Sequence, residues 1–380
     1  MLLRPHSPLP FNLSQRDLEI RIEMSEHNRG ADGVKRRRER RAPRKPTLKE
    51  VAKDAGVSVS TVSHVVNETR FVNDDTRARV ESSIARLGYA PNRLAQSLRR
   101  SSSDSIGLIV SDVGNPYYTD VIRGVEDECR RRGMTVVLAS SDDDPAREEA
   151  ALLALRAHQV DGLIVALTSG TTDRVLQEIV DFDQPAVLVD RFSDVGIDQV
   201  GSENIDSTDL LVSHLIEHGH TRIGFLSGVE GISTSDERLT GYRRALDTHR
   251  IAFDPSLVAS GRSRIDPAAD AASTILATAD APTAFVAGNN LMALGVLKAA
   301  LRAGLTVPTD LALVSFDDFD WTELLHPRLT TMAQPTYEIG RRAIEALLNR
   351  LQDPSSPPQS VRLTPTFMHR DSCGCSGGAI

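Results

Sequence analysis

Seven short, unbroken apolar stretches, each separated from the next by sequence of helical pattern, constrain this chain more than any other feature. They are IGLIV (Ile106 to Val110), VVLAS (Val136 to Ser140), GLIVAL (Gly162 to Leu167), AVLVD (Ala186 to Asp190), IGFLSG (Ile223 to Gly228), AFVAG (Ala284 to Gly288) and ALVSF (Ala312 to Phe316). A strand with one wet face alternates apolar and polar side chains, whereas a strand covered on both faces reads as a continuous run. Such runs alternating with amphipathic helices predict a doubly wound, parallel α/β body. The body spans about 270 residues, more than one core usually holds, so two similar sheets are expected.

The sequence before this body has a different character. Thr47 to Asn67 reads TLKEVAKDAGVSVSTVSHVVN. Thr47 and Glu50 have capping-box spacing, which predicts a helix over about Leu48 to Ala55. Gly56 permits a sharp turn, Ser58 suits the N-cap of a second helix, and Val62, Val65 and Val66 share a face that would pack on Val51 and Ala52. A third helix from about Asp74 to Leu87 repeats apolar residues at Val80, Ile84 and Leu87, completing a helix-turn-helix with a small tri-helical core.

Charge divides the chain the same way. Residues 1 to 100 hold 21 Lys and Arg against 12 Asp and Glu, and the remainder holds 23 against 40. A basic head on an acidic body suits contact with a nucleic acid at one end only. Residues 1 to 46 lack apolar periodicity and end in KRRRERRAPRK, which reads as a disordered basic arm: a solvated tail, or a nonspecific phosphate-binding segment.

Neither a signal-peptide pattern nor an apolar run long enough to span a bilayer is found, so a cytoplasmic protein without membrane contact is expected. The three cysteines, Cys129, Cys373 and Cys375, show no zinc-type spacing with histidine, and no metal site is expected. Residues 373 to 380 read as a flexible Gly-rich tail. Phosphate-loop, dinucleotide and nucleophile-elbow motifs are all missing, so neither catalytic residues nor a cofactor is expected and the chain is read as a non-enzyme.

At Thr47 to Asn67 the chain resembles the lactose and galactose repressor family of bacterial transcriptional regulators. The likeness continues to about Arg370 through GYAPNRLAQSL (Gly88 to Leu98), IGLIVSDVGNPYY (Ile106 to Tyr118), DGLIVAL (Asp161 to Leu167), RLTGY (Arg238 to Tyr242), GNNLMALG (Gly288 to Gly295) and LTTMAQP (Leu329 to Pro335). The resemblance implies a helix-turn-helix headpiece over 47–91, a hinge helix and linker over 92–104, and a core over 105–372 built like periplasmic sugar-binding proteins. It further implies two α/β subdomains joined by three crossovers, the N-terminal one about 105–191 with 307–334 and the C-terminal one about 192–306 with 335–372. The implied function is a homodimeric repressor that binds a palindromic operator in double-stranded DNA and is switched by a small effector, such as a sugar. No leucine heptad follows the body, which favours a dimer over a tetramer.

In such a headpiece the second helix lies in the major groove. The resemblance assigns base reading to Val59, Ser60 and His64, the last a departure from a frequent Arg; Thr61 and Ser63 reach bases or phosphates, and Thr47, Ser58 and Asn67 complete the surface. Asn92, Leu94, Ala95 and Leu98 belong to the hinge, where Leu98 matches the residue that wedges into the minor groove. Effector contacts are expected at the carboxyl ends of the strands. Asn115 and Tyr117 follow the first core strand, and Asp190 with Arg191 ends the fourth, as effector contacts or as a structural ion pair. By resemblance, Arg238 holds the effector, Asn290 stands where the family often has Asp, and Gln334 and Thr336 border the site at a crossover. Trp321, the sole tryptophan, is expected to pack rather than to stack on a ligand. The body alone would equally suit an exported sugar-binding protein, but a helix-turn-helix stands where that protein would carry its export signal.

Overall fold

The computed structural model describes residues 46–67, 69–89, 102–182 and 184–375. The chain divides into two compact units, Met1–Pro91 and Asn92–Ile380.

Among the described residues, the first unit holds three helices, α1 (Leu48–Ala55), α2 (Val59–Asn67) and α3 (Asp74–Leu87). Thr47 and Glu50 form the reciprocal capping box that their spacing predicts, and Gly56 closes α1 in the left-handed region at φ 66°. The Ser58 hydroxyl accepts from the Thr61 N–H at 3.1 Å, capping α2, and Asn73 does the same for α3 through Thr76. Val51, Ala52 and Ala55 of α1 meet Val62 and Val65 of α2 and Val80 of α3 in a small closed core. Three short helices are marginal alone, so this shared apolar seam is what holds them.

The second unit holds two six-stranded sheets. The first contains β1 (Ser105–Val110), β2 (Thr135–Ser140), β3 (Gly162–Val165), β4 (Ala186–Val189), β5 (Asp198–Ser202) and β11 (Ser360–Leu363), in the order β11-β5-β4-β3-β1-β2, parallel throughout. The second contains β6 (Ile223–Ser227), β7 (Val258–Ser260), β8 (Ala284–Ala287), β9 (Ala312–Phe316), β10 (Thr330–Ala333) and β12 (Thr366–Met368), in the order β12-β10-β9-β8-β6-β7, parallel except for β12 against β10. All seven apolar runs are strands. Leu163, Val187, Phe225, Phe285 and Leu313 have no exposed surface, as burial on both faces requires, but β2 departs from that expectation: it is an edge strand, half-buried at most, with Leu138 44% exposed.

Among the described residues, eight helices cover the sheets: α4 (Pro116–Arg131), α5 (Pro145–Ala157), α6 (Asp173–Val180), α7 (Ile205–Glu217), α8 (Ser233–Thr248), α9 (Ile265–Leu276), α10 (Asn290–Ala303) and α11 (Thr336–Gln352). Packing between α4 and α11 rests on two glycines. A Cβ at Gly340 would stand 2.0 Å from the Val121 carbonyl oxygen, and one at Gly124 would stand 2.1 Å from that of Tyr337. The two backbones therefore touch, and neither position has room for a side chain.

The structure corrects two expectations, the division into subdomains and the flexible tail. β5, within the segment 192–306 expected in the C-terminal subdomain, pairs with β4 in the first sheet. The segment expected in the N-terminal subdomain, 307–334, carries β9 and β10 and belongs to the second sheet. The segment expected in the C-terminal subdomain, 335–372, is divided: α11 buries Ile339, Ala343, Ile344 and Leu347 against Ile106, Ile164 and Val187 of the first sheet, β11 pairs with β5, and only β12 onward returns to the second. The chain thus passes between sheets three times, after β5, after β10 and after β11. The assumed exchange point was one crossover out of phase. The second correction concerns the expected flexible tail: Cys373 is 1% exposed and joins the core of the second sheet, because Ser372 bonds Thr330 and Leu313 and draws the chain inward. Trp321 lies in a short 3-10 turn, half-buried and stacked on Phe319 at 5.8 Å.

Candidate functional site

Two surfaces carry the candidate chemistry, one in each unit. On the head, α2 presents Val59 and Ser60 as exposed side chains, with Thr61, Ser63, His64 and Asn67 half-buried beside them. Val59 keeps 41% of its surface exposed at the start of the helix. His64 Nδ1 shares a 2.8 Å hydrogen bond with the Thr69 hydroxyl, which steers the imidazole across the end of the helix. Asn67 donates to the Ser63 carbonyl at 2.7 Å. A shallow groove next to α2 is lined by Ser58, Thr61, His64, Thr76, Arg70 and Arg79 among others, placing two guanidinium groups beside the hydroxyls. Such an edge matches a phosphate backbone. The hinge residues Asn92, Leu94, Ala95 and Leu98 lie outside the described residues.

In the second unit, the carboxyl ends of strands from both sheets converge on one cleft of about 730 Å³, part of it open to solvent. Ser111 follows β1, Asp190 and Arg191 follow β4, Gly228 follows β6, Gly288 and Asn289 follow β8, and Asp317 follows β9; all line the cleft. Asp190 and Asp317 take matching backbone conformations at φ 70° and φ 72°. That left-handed region is costly for most residues and tolerated by Asp, and it turns each carboxylate out of its strand end.

Asp190 accepts from the Tyr118 hydroxyl at 2.8 Å, and Ser111 donates to that hydroxyl at 2.7 Å. Arg191 donates to Asp143 at 2.7 Å and to the Leu167 carbonyl at 2.5 Å; its approach to Asp190 is looser at 3.8 Å. On the other wall, Arg238 Nε donates to Asn204 at 2.9 Å and Nη1 to the Gly288 carbonyl at 2.6 Å, with the guanidinium 3.8 Å above the Phe316 ring. Gln334, on the second crossover, donates to Asp317 at 2.5 Å. Burial pushes the Asp317 carboxyl above the usual carboxylate range, while Arg238, Gln334 and the Asn290 N–H pull it back. Burial and the Asp190 charge hold the Tyr117 phenol well above its ordinary value, so it stays a neutral hydroxyl.

Contacts between the sheets frame the cleft. Asn290 donates to Asn115 at 3.1 Å, the Phe192 N–H donates to Ser233 at 2.8 Å, and Arg264 approaches Asp142 at 3.3 Å near the mouth. Among the described residues, the Tyr117 hydroxyl, Asn290 Oδ1 and Gln334 Oε1 are buried polar atoms without a hydrogen-bond partner. Buried polar atoms are paired as a rule, so the two orphans on residues that line the cleft, Tyr117 and Gln334, fit a polar ligand.

Comparison with known proteins supports the same two-part reading. Residues 47–92 match the family described as bacterial regulatory proteins, lacI family, and residues 212–373 match a periplasmic binding protein-like domain. The ribose operon repressor of Escherichia coli (strain K12) is 36% identical over 329 residues, covering 86% of this chain and 99% of the relative. The chain belongs to the lacI family. It is a DNA-binding transcriptional regulator and not an enzyme. Among solved structures, a lac repressor dimer bound to operator and the anti-inducer ONPF superposes with a TM-score of 0.78 at 28% identity, covering 87% of this chain and 99% of that one. A LacI family transcriptional regulator from Enterococcus faecium with bound ribose gives 0.63 at 27% identity, covering 70% and 98%.

Within this lacI-family core, Asn115, Tyr117, Asp190, Arg191, Arg238 and Gln334 all line the cleft. Asn290 is 1% exposed and stands behind the lining, reaching it through Asn115. Thr336 opens α11 and leans on Asp120 at 3.5 Å instead of entering the cleft. Sequence reasoning missed Asp317, Ser111, Tyr118 and Asn289. Asp317 carried a usable signal, since it directly follows the last of the seven apolar runs, as Asp190 ends the fourth. Among the described residues, no helix is long and apolar enough to cross a membrane.

Proposed function

We propose that this regulator binds a two-fold symmetric operator as a homodimer and represses transcription, and that a small polyhydroxylated effector, a monosaccharide, occupies the cleft and sets its DNA affinity. The observation that carries the effector class is the pairing of Asp190 and Asp317, one at a strand end of each sheet, with Arg238 and Arg191 alongside. Carboxylates that can only accept, set beside guanidinium groups that can only donate, suit neighbouring hydroxyls that do both. The ribose held by the Enterococcus faecium regulator and the name of the Escherichia coli relative point to the same class.

On the head, Val59, Ser60 and His64 face base edges, Thr61 and Ser63 reach bases or phosphates, and Thr47, Ser58 and Asn67 flank them; Asn92, Leu94, Ala95 and Leu98 serve the hinge. In the cleft, Asn115, Tyr117, Asp190, Arg191, Arg238 and Gln334 contact the effector, while Asn290 and Thr336 support them from behind. A thermal-shift panel of pentoses, hexoses, sugar phosphates and nucleobases tests the class, because a ligand of the native state raises the melting temperature. Stabilisation by a neutral sugar, lost in Asp190→Asn, is expected. Stabilisation by nucleobases alone would overturn it.

A further inference from the structure

We propose that the C-terminal segment carries a structural zinc site formed by His214, His369, Cys373 and Cys375. Their ligand atoms all lie within 4.8 Å of one another, and Cys375 Sγ stands 3.2 Å from His214 Nε2. In a tetrahedral site with Zn–S near 2.3 Å and Zn–N near 2.0–2.1 Å, ligand atoms sit about 3.3–3.8 Å apart, so the four need only contract slightly around an ion. Two neutral imidazoles and two thiolates form the donor set of closed structural zinc sites, and softness and geometry both favour zinc over magnesium or calcium.

Two further features suit a ligand rather than a chance cluster. His369 Nε2 is buried without a hydrogen-bond partner, a state that needs a reason in a folded core and that coordination would supply. The backbone that presents the thiols is also held firmly. Arg370 bonds Asp318 at 2.6 and 2.8 Å, Ser372 bonds Thr330 and Leu313, and Gly374, at φ 76°, turns the chain between the two cysteines. His214 comes from the last turn of α7, whose start follows the first crossover, whereas His369 directly follows β12 and the third. An ion there would tie the end of the chain to a helix 161 residues earlier. Local spacing shows only part of it: His369, Cys373 and Cys375 fall within seven residues, whereas His214 is remote in sequence and is brought to them by the fold.

The test uses the full chain, purified under reductant without chelator, supplied with zinc chloride and desalted. One zinc per chain by elemental mass spectrometry is expected, with the visible absorption of tetrahedral thiolate-bound cobalt(II) on substitution. Cys375→Ser and His369→Gln should lose the bound metal while keeping the far-ultraviolet circular dichroism of the parent. His218→Gln removes a neighbour whose ring lies 4.5 Å from His214, and it should keep the metal. Chelator should lower the melting temperature of the parent but not of Cys375→Ser. The site is refuted if the parent retains no zinc and gives no tetrahedral cobalt spectrum, if both ligand variants retain metal, or if Cys373 and Cys375 prove to be joined as a disulfide.

Discussion

Replacing Arg238 by Ala separates two roles that the cleft gives to one side chain. Arg238 is 7% exposed, and two of its nitrogens bond Asn204 and the Gly288 carbonyl while its plane covers Phe316. Bonds from a charged donor contribute about 1.5–3 kcal/mol each, and a desolvated cation over an aromatic ring about 2 kcal/mol. Simple addition would exceed 5 kcal/mol, but the cleft is open to water, which can satisfy the abandoned oxygens. We expect a net loss of about 2–4 kcal/mol in the unfolding free energy of the core. Effector affinity should fall roughly 10- to 150-fold, because the guanidinium edge not used by the protein is lost as well. DNA binding without effector should persist, since the head has its own core. Urea unfolding of parent and variant, with calorimetric titration of the effector, measures both. A variant with the parental urea midpoint and parental effector affinity would show that Arg238 neither supports the wall nor touches the ligand.

Further outcomes follow from the same geometry. Gly340→Ala should destabilise the core by about 1–3 kcal/mol or more, read as a drop in urea midpoint, because its Cβ would strike the Val121 carbonyl; an unchanged midpoint would mean that α4 and α11 are not in backbone contact. Asp317→Asn should stabilise the effector-free protein while weakening effector binding. Its carboxyl is raised above the ordinary value of 3.8, so its protonated form favours the fold below that value and the benefit is lost as pH rises through the raised one. The advantage of the variant in melting temperature should therefore grow with pH, and an advantage that shrinks would reverse the assignment. His64→Arg should change operator preference at one base step toward guanine while leaving the salt dependence of binding nearly intact, since it adds a base reader and not a phosphate contact; a uniform gain across all sequences in a binding-site selection would place His64 on the backbone instead.

Local chemistry was enough to place the elements whose signals are local. The boundaries of α1 and α3 agree with a capping box, a left-handed glycine and apolar spacing, all read within about four residues. Six of the seven legible strands are buried on both faces, which leaves a continuous apolar run, whereas β2 is an edge strand with Leu138 44% exposed and was legible from its apolar sequence alone. Other strands were not: β5 reads DQVGS and β11 reads SVRL, mixed sequences whose pairing with β4 and with each other depends on neighbours far along the chain.

Which sheet receives β9, β10 and α11 was likewise a tertiary decision, because it depends on where the chain crosses and not on what each element looks like alone. The sites divide in the same way. Asn115, Tyr117 and Asp190 follow strands visible in the sequence, and they line the cleft. Asp317 joins them, Asn290 is kept one layer back, and His214 meets Cys375 across 161 residues only because the two sheets are closed by three crossovers. Side-chain periodicity specifies which face of an element is buried, whereas the partner it is buried against is chosen by the packing of the whole.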